Sequence, residues 1–177
     1  KVSIFDFEST FGEDISLEEY LSRIRIEAAD EKQLRTFYSC MYRAFLYPHK
    51  AYEPDENGKP IHYAPCVDKV LSGVRYTDNG FWDTYRTIYP FYSIVAKKEL
   101  PEIIEGFVQD YVDGAWLPCW TAGDAKNCMP STAIDAVIAD VATKGLISED
   151  LLKKAFEGME LHANNNSKLA AYGRDGC

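Results

Sequence analysis

The sequence predicts an all-α fold built of stacked helical hairpins, in a solenoid or a toroid. Three observations predict it. Six or seven stretches, mostly about 10–16 residues long, carry apolar side chains at helical spacing. Short and long connections alternate between them. Strand signals are minor, the clearest being the lead-in KVSIFDF (1–7), which alternates apolar and polar residues. No period of about 34 or 40 residues recurs, which argues against a regular repeat array.

The elements follow in order. Ser16 opens the first helix as an N-cap, with Glu19 three residues on in a capping box. Leu17, Tyr20, Leu21, Ile24 and Ala28 form its apolar face. Asp30 caps a second helix, striped by Leu34, Phe37, Tyr38, Met41, Phe45 and Leu46, and Pro48 ends it. About thirty residues of irregular chain then carry Pro54, Asn57-Gly58, Pro60, Pro65 and Gly73, and a connection of that length suits a binding loop. A helix from about Gly80 to Tyr89 follows, interrupted by Pro90. Pro101 sits where an N1 proline belongs, ahead of the face Ile103, Ile104, Phe107, Val108 and Tyr111, and Gly114 stops that helix. A second loop, AWLPCWTAGDAKNCMPST, precedes a helix from about Ala133 to Lys144 that Gly145 closes. Ser148 opens the last helix, and Asn164-Asn165-Asn166 breaks it.

The chain of 177 residues, 46% apolar, is long enough to bury a core as one domain. Its net charge of −9 argues against a nucleic-acid partner, because neutralising phosphates needs a basic surface. No apolar run approaches the roughly 18 residues that span a bilayer. The start in mid-pattern, without an initiator Met, suggests an excised piece. Five cysteines without a C-x-x-C pair fit neither a metal site nor a thioredoxin-like motif, and read better as buried free thiols than as one or two disulfides. His49, His62 and His162 have no partner at metal-ligand spacing and read as structural. No Ser-His-Asp elbow or phosphate loop is present.

The segment DNGFWDTYRTIYP (78–90) is the most informative. At helical spacing Trp82, Tyr85 and Tyr89 share one face, and Asp83 lies beside Arg86. Two readings stay open: a core-facing helix with an ion pair, or the wall of a cavity for a ligand with apolar faces and polar edges. Trp116 and Trp120 divide the same way. They either pin their loop to the core or stack on sugar rings, whose C–H faces are apolar.

Five motifs in one order then resemble glycoside hydrolase family 92, the exo-acting α-mannosidases. They are FYSCMYRAFLYP (37–48), FWDTYRTIYPFYSIV (81–95), WLPCWTAGDAKNCM (116–129), AVIADVATKG (136–145) and AAYGRDG (170–176). The resemblance implies a glycosidase resembling α-1,2-mannosidases, which removes terminal α-linked mannose with inversion and needs calcium. It also implies a β-sandwich ahead of an (α/α)6 toroid, with residues 1–177 as a single partial domain, the first part of that toroid. It implies substrate-binding roles for Trp82, Asp83, Arg86, Cys128 and Met129, with no catalytic residue and no metal ligand on this chain. The whole protein would be extracellular or periplasmic, its partner an α-mannoside glycan, and the piece alone would be inactive and self-associate through exposed helix faces. The chain departs from the family pattern at Ala125-Lys126 and at Pro130 to Ala133, where a Glu and a His are common. That leaves linkage specificity open, along with an alternative: a non-catalytic helical carbohydrate-binding or interaction domain.

Overall fold

The computed structural model describes residues 16–27, 30–114, 116–125 and 132–164. The lead-in at 1–7, Ala28, Asn165-Asn166 and the 170–176 motif lie outside them. The chain divides into two compact units, residues 1–50 and 51–177.

In the first unit, α1 (Leu17–Ser22) is capped as its sequence dictates, the Ser16 hydroxyl accepting from the Glu19 N–H at 3.2 Å. It is shorter than its apolar spacing suggests. The chain turns at Arg23, and the Tyr38 hydroxyl donates to the Ile24 carbonyl at 2.9 Å, supplying a partner that a longer helix would have provided. The Asp30 carboxylate caps α2 (Glu31–Ala44) by accepting from the Gln33 N–H, and the Gln33 side chain accepts from the Asp30 N–H in return. Tyr20 packs on Phe45 with ring centroids 5.1 Å apart. A short strand, β1 (His49–Lys50), ends the unit.

The second unit overturns the all-α expectation. About half of the described residues are helical, and antiparallel strands fill much of what reads as loop, so the fold is mixed α/β. The segment after Ala51 forms a three-stranded sheet of β2 (Glu53–Pro54), β3 (Pro60–Ala64) and β4 (Lys69–Ser72). Its first turn is made by Asp55, whose carboxylate accepts from the N–H groups of Asn57 and Lys59, both at 2.8 Å, while Gly58 takes a φ of +75°. Pro60 is tolerated because it is the first residue of its strand. Ile61 pairs with Ser72, His62 with Leu71 and Tyr63 with Val70.

Buried polar contacts fasten this sheet to the helix Leu100–Val112 and its C-cap, Asp113. His62 is buried with its Nδ1 2.9 Å from the Gly73 carbonyl and its Nε2 2.7 Å from Asp113 Oδ2, and Gln109 donates to the other Asp113 oxygen at 2.8 Å. The structural reading of His62 therefore holds. The hydroxyls of Tyr52 and Tyr76 both donate to Glu102 Oε1, at 2.5 and 2.8 Å.

Strands β5 (Tyr76–Thr77) and β6 (Asn79–Gly80) lead into α3 (Phe81–Thr84), and α4 (Ile88–Val95) follows after a break. The single helix expected over 80–89 is thus two. Pro90 has no N–H to donate, and restarting the helix at Ile88 places it in a first turn, where no intrahelical donor is needed. Helix α5 (Leu100–Val112) begins with Pro101 in its first turn and stops at Gly114, φ +99°. Strands β7 (Trp120–Ala122) and β8 (Asp124–Ala125) come next, then α6 (Ala133–Thr143), closed by Gly145 at φ +67°, and α7 (Glu149–Asn164). The Ser148 hydroxyl accepts from the Leu151 N–H at 3.2 Å to start α7.

Helices α4 to α7 pack on one another around buried aliphatic faces, including Ile103 and Ile104 of α5 and Ile134, Ile138 and Val141 of α6. His162 of α7 is buried, its Nε2 2.9 Å from the Leu117 carbonyl and its ring stacked on Trp116. Trp116 therefore pins its loop to this core. Among the described cysteines Cys40, Cys66 and Cys119 carry free thiols, but only Cys119 is buried, which corrects the expectation of burial for the other two.

Two expectations about stability follow. A Cβ on Gly106 would lie 2.5 Å from Tyr76 Cδ2 and 2.9 Å from the Tyr76 backbone nitrogen. Gly106→Ala should therefore destabilise the protein by about 1–3 kcal/mol in urea unfolding, the overpacking cost exceeding the helix-propensity gain. Equal or greater stability would show that Tyr76 does not sit there. Asp110, also on α5, is buried and accepts from Arg75 Nε at 2.9 Å. Burial pushes its carboxyl up to about 6 despite the neighbouring guanidinium. Because the folded state then holds this proton more tightly than the unfolded chain does, the group subtracts stability as pH rises from about 4 to 6. The unfolding free energy of the wild type minus that of Asp110→Asn should decline across this window and level off above it. A difference independent of pH would refute the assignment.

Candidate functional site

The site is built where β6 runs into α3. Phe81, the first residue of α3, is fully buried: it stacks on Tyr89 at 5.9 Å and meets Phe107 edge-on at 4.8 Å. With Phe81 turned inwards, its neighbours turn outwards. Trp82 is 44% exposed, and Asp83, Tyr85 and Arg86 are exposed as well. The face proposed for Trp82, Tyr85 and Tyr89 is therefore split, since Tyr89 joins the core. Nor do Asp83 and Arg86 pair. The Arg86 guanidinium lies over the Tyr85 ring, 5.6 Å from its centroid, and among the described residues it makes no ion pair with Asp83.

Trp120 reaches the same place from a distant part of the chain. Strands β6, β7 and β8 form an antiparallel sheet in which Asn79 pairs with Thr121 and Gly80 with Trp120. Gly80 has no side chain, and the indole fills that space. A Cβ there would lie 3.1 Å from both Trp120 Cδ1 and Nε1, and 3.4 Å from Asp83 Oδ2. An indole edge and a carboxylate thus converge on one backbone position. Thr84 secures the start of α3 by donating to the Gly80 carbonyl at 3.0 Å.

The sheet is secured from beneath. Thr77 Oγ1 accepts from the Gly123 N–H at 2.6 Å and lies 3.2 Å from Thr121 Oγ1. Arg75 donates to the Gly123 carbonyl at 3.0 Å. Nothing in the sequence marks Arg75 or Thr77 as part of a site. Gly80 falls within the singled-out segment 78–90, and its own signal is a glycine directly before a helix, where a capping side chain is commoner.

Of the substrate-binding residues suggested by the sequence, the structure places Trp82, Asp83 and Arg86 on one exposed turn. Cys128 and Met129 lie outside the described residues. Among the described residues no group of three or more His, Cys, Asp or Glu could hold a metal ion, and no helix is long and apolar enough to cross a membrane.

Comparison with known proteins supplies the lineage. No curated protein sequence matches the chain. Solved structures do. The chain is similar to a family 92 inverting mannosidase from Bacteroides thetaiotaomicron VPI-5482, with a TM-score of 0.80 and 34% identity over 89% of this chain and 21% of that one. It is also similar to a family 92 α-mannosidase from Bacteroides thetaiotaomicron, solved alone and in complex with mannoimidazole. Both of those structures give a TM-score of 0.72 and 26% identity over 85% of this chain and 20% of theirs. The chain spans about a fifth of the length of these relatives. Residues 15–176 match the Glycosyl hydrolase family 92 catalytic domain, and the chain belongs to that family.

Proposed function

We propose that this chain supplies one wall of the sugar pocket of an α-mannosidase that removes terminal α-linked mannose with inversion. The observation that carries the reading is the convergence of Trp120 and Asp83 on Gly80. A pyranose has an apolar C–H face, which suits an indole, and equatorial hydroxyls, which suit a carboxylate acceptor. Asp83 accepts from hydroxyls of the terminal mannose, while Trp82 and Arg86 shape the rim, and the family resemblance assigns Cys128 and Met129 to the same pocket.

Inverting hydrolysis needs an acid that protonates the leaving oxygen and a base that activates water, on opposite sides of the sugar. Asp83 holds the sugar, and that acid and base belong to other parts of the longer enzyme. The resemblance implies that calcium is bound in those other parts as well. The enzyme acts outside the cytoplasm on mannose-terminated glycans. Exposed Ile94, Leu152 and Phe156 support self-association of the isolated chain through helix faces.

In the full-length protein, Asp83→Ala should lower kcat/KM on an aryl α-mannoside by about 100-fold or more, as expected when a buried polar substrate group loses its charged partner. Activity within a few-fold of wild type would make Asp83 a bystander. The 177-residue chain alone should release no aryl aglycone, with or without added calcium. Calcium-dependent release by the purified chain would place the catalytic carboxylates on it after all.

A further inference from the structure

We propose that Arg75 and Thr77 are positioning residues for this pocket: they grip the Gly123 peptide from both sides and so fix the turn that holds Trp120 beside Asp83. The inference rests on reading Trp120 and Asp83 as pocket residues. Neither Arg75 nor Thr77 touches sugar in this arrangement, because both side chains are buried.

The geometry carries the argument. Gly123 links β7 to β8 with φ +70°, a left-handed conformation that by itself leaves its peptide groups in need of partners. Its N–H donates to Thr77 Oγ1 at 2.6 Å, and its carbonyl accepts from Arg75 at 3.0 Å. Thr77 also meets Thr121 Oγ1, directly across the sheet from Asn79. Arg75 is itself fixed, its Nε donating to Asp110 Oδ1 on α5 at 2.9 Å. A chain of short contacts therefore runs from α5 through Arg75 to Gly123, and along β7 to Trp120. The same segment, Arg75 to Gly80, continues directly into α3 and Asp83. One stretch of backbone thus sets both partners of the pocket, and the clamp fixes the gap between them.

The test uses the full-length protein labelled with 5-fluorotryptophan, the Trp120 signal being identified by its loss in Trp120→Phe. Thr77→Val keeps the side-chain shape and removes the acceptor for the Gly123 N–H, whereas Thr77→Ser restores it. Thr77→Val should shift or broaden the Trp120 fluorine signal and lower kcat/KM by about 10- to 100-fold, the range in which a misplaced binding group acts. Thr77→Ser should return both to near wild type. Should Thr77→Val fail to fold, Arg75→Lys, which keeps the charge facing Asp110 but loses the fork, is read the same way. An unchanged Trp120 signal with unchanged kinetics overturns the clamp, as does equal impairment by valine and serine. A Trp120 signal that moves while Asp83→Ala leaves turnover within a few-fold overturns the pocket reading and leaves the clamp standing.

Discussion

The burial of Phe81 is the constraint on which the candidate site depends. A helix of four residues cannot stabilise itself, since nucleation costs more than so few hydrogen bonds return. What holds α3 in place is one ring wedged between Tyr89 and Phe107, a burial that contributes about 2–3 kcal/mol. With that ring inwards, the next two residues must face out. The exposure of Trp82 and Asp83 is therefore a consequence of core packing one residue earlier.

The same logic links the site to α5. Phe107 receives Phe81, Gly106 leaves room for Tyr76, Asp110 holds Arg75, and Asp113 holds His62. One helix thus receives, on successive turns, the aromatic anchor of α3, strand β5, the clamp on the β7–β8 turn and the sheet of β2 to β4. Its buried carboxylates are costly to desolvate, and each is matched by a cation or by hydrogen-bond donors. Asp110 is the least satisfied, with its second oxygen lacking a partner among the described residues. Burial, which that oxygen meets without a donor, is what pushes its carboxyl upwards.

Much of the helical framework was legible in the sequence because its signals are local. Asp30 with Gln33, Pro101, Gly114 and Gly145 act through their own backbone, and each stands at the helix end where it was expected. The all-α reading failed where structure depends on pairing across the chain. Asn57-Gly58 does mark a turn, but whether Pro60 to Ala64 becomes a strand is decided by Glu53 and Lys69–Ser72 alongside it. The helical stripe through Trp82, Tyr85 and Tyr89 failed for a related reason. Periodicity assumes an unbroken helix, and Pro90 fits best when the helix restarts. At the site, the sequence marked Asp83 and Trp120 separately, 37 positions apart by their numbering. Their meeting at Gly80 is a property of the β6–β7 register, which no local pattern encodes.

That register explains why a glycine occupies position 80. Its φ of −106° is open to any residue, so conformational freedom is not the reason. Space is. In an antiparallel pair, directly opposed side chains lie close together, and here a Cβ on Gly80 would press to 3.1 Å from the edge of the Trp120 indole. Gly80 yields its volume to the Trp120 indole, and because it is also the residue before α3, the indole comes to rest over the first turn of the helix that carries Asp83. A larger residue at this point would push the indole away from the carboxylate. The apolar and polar halves of a sugar-recognition surface are thus brought together by the absence of a side chain.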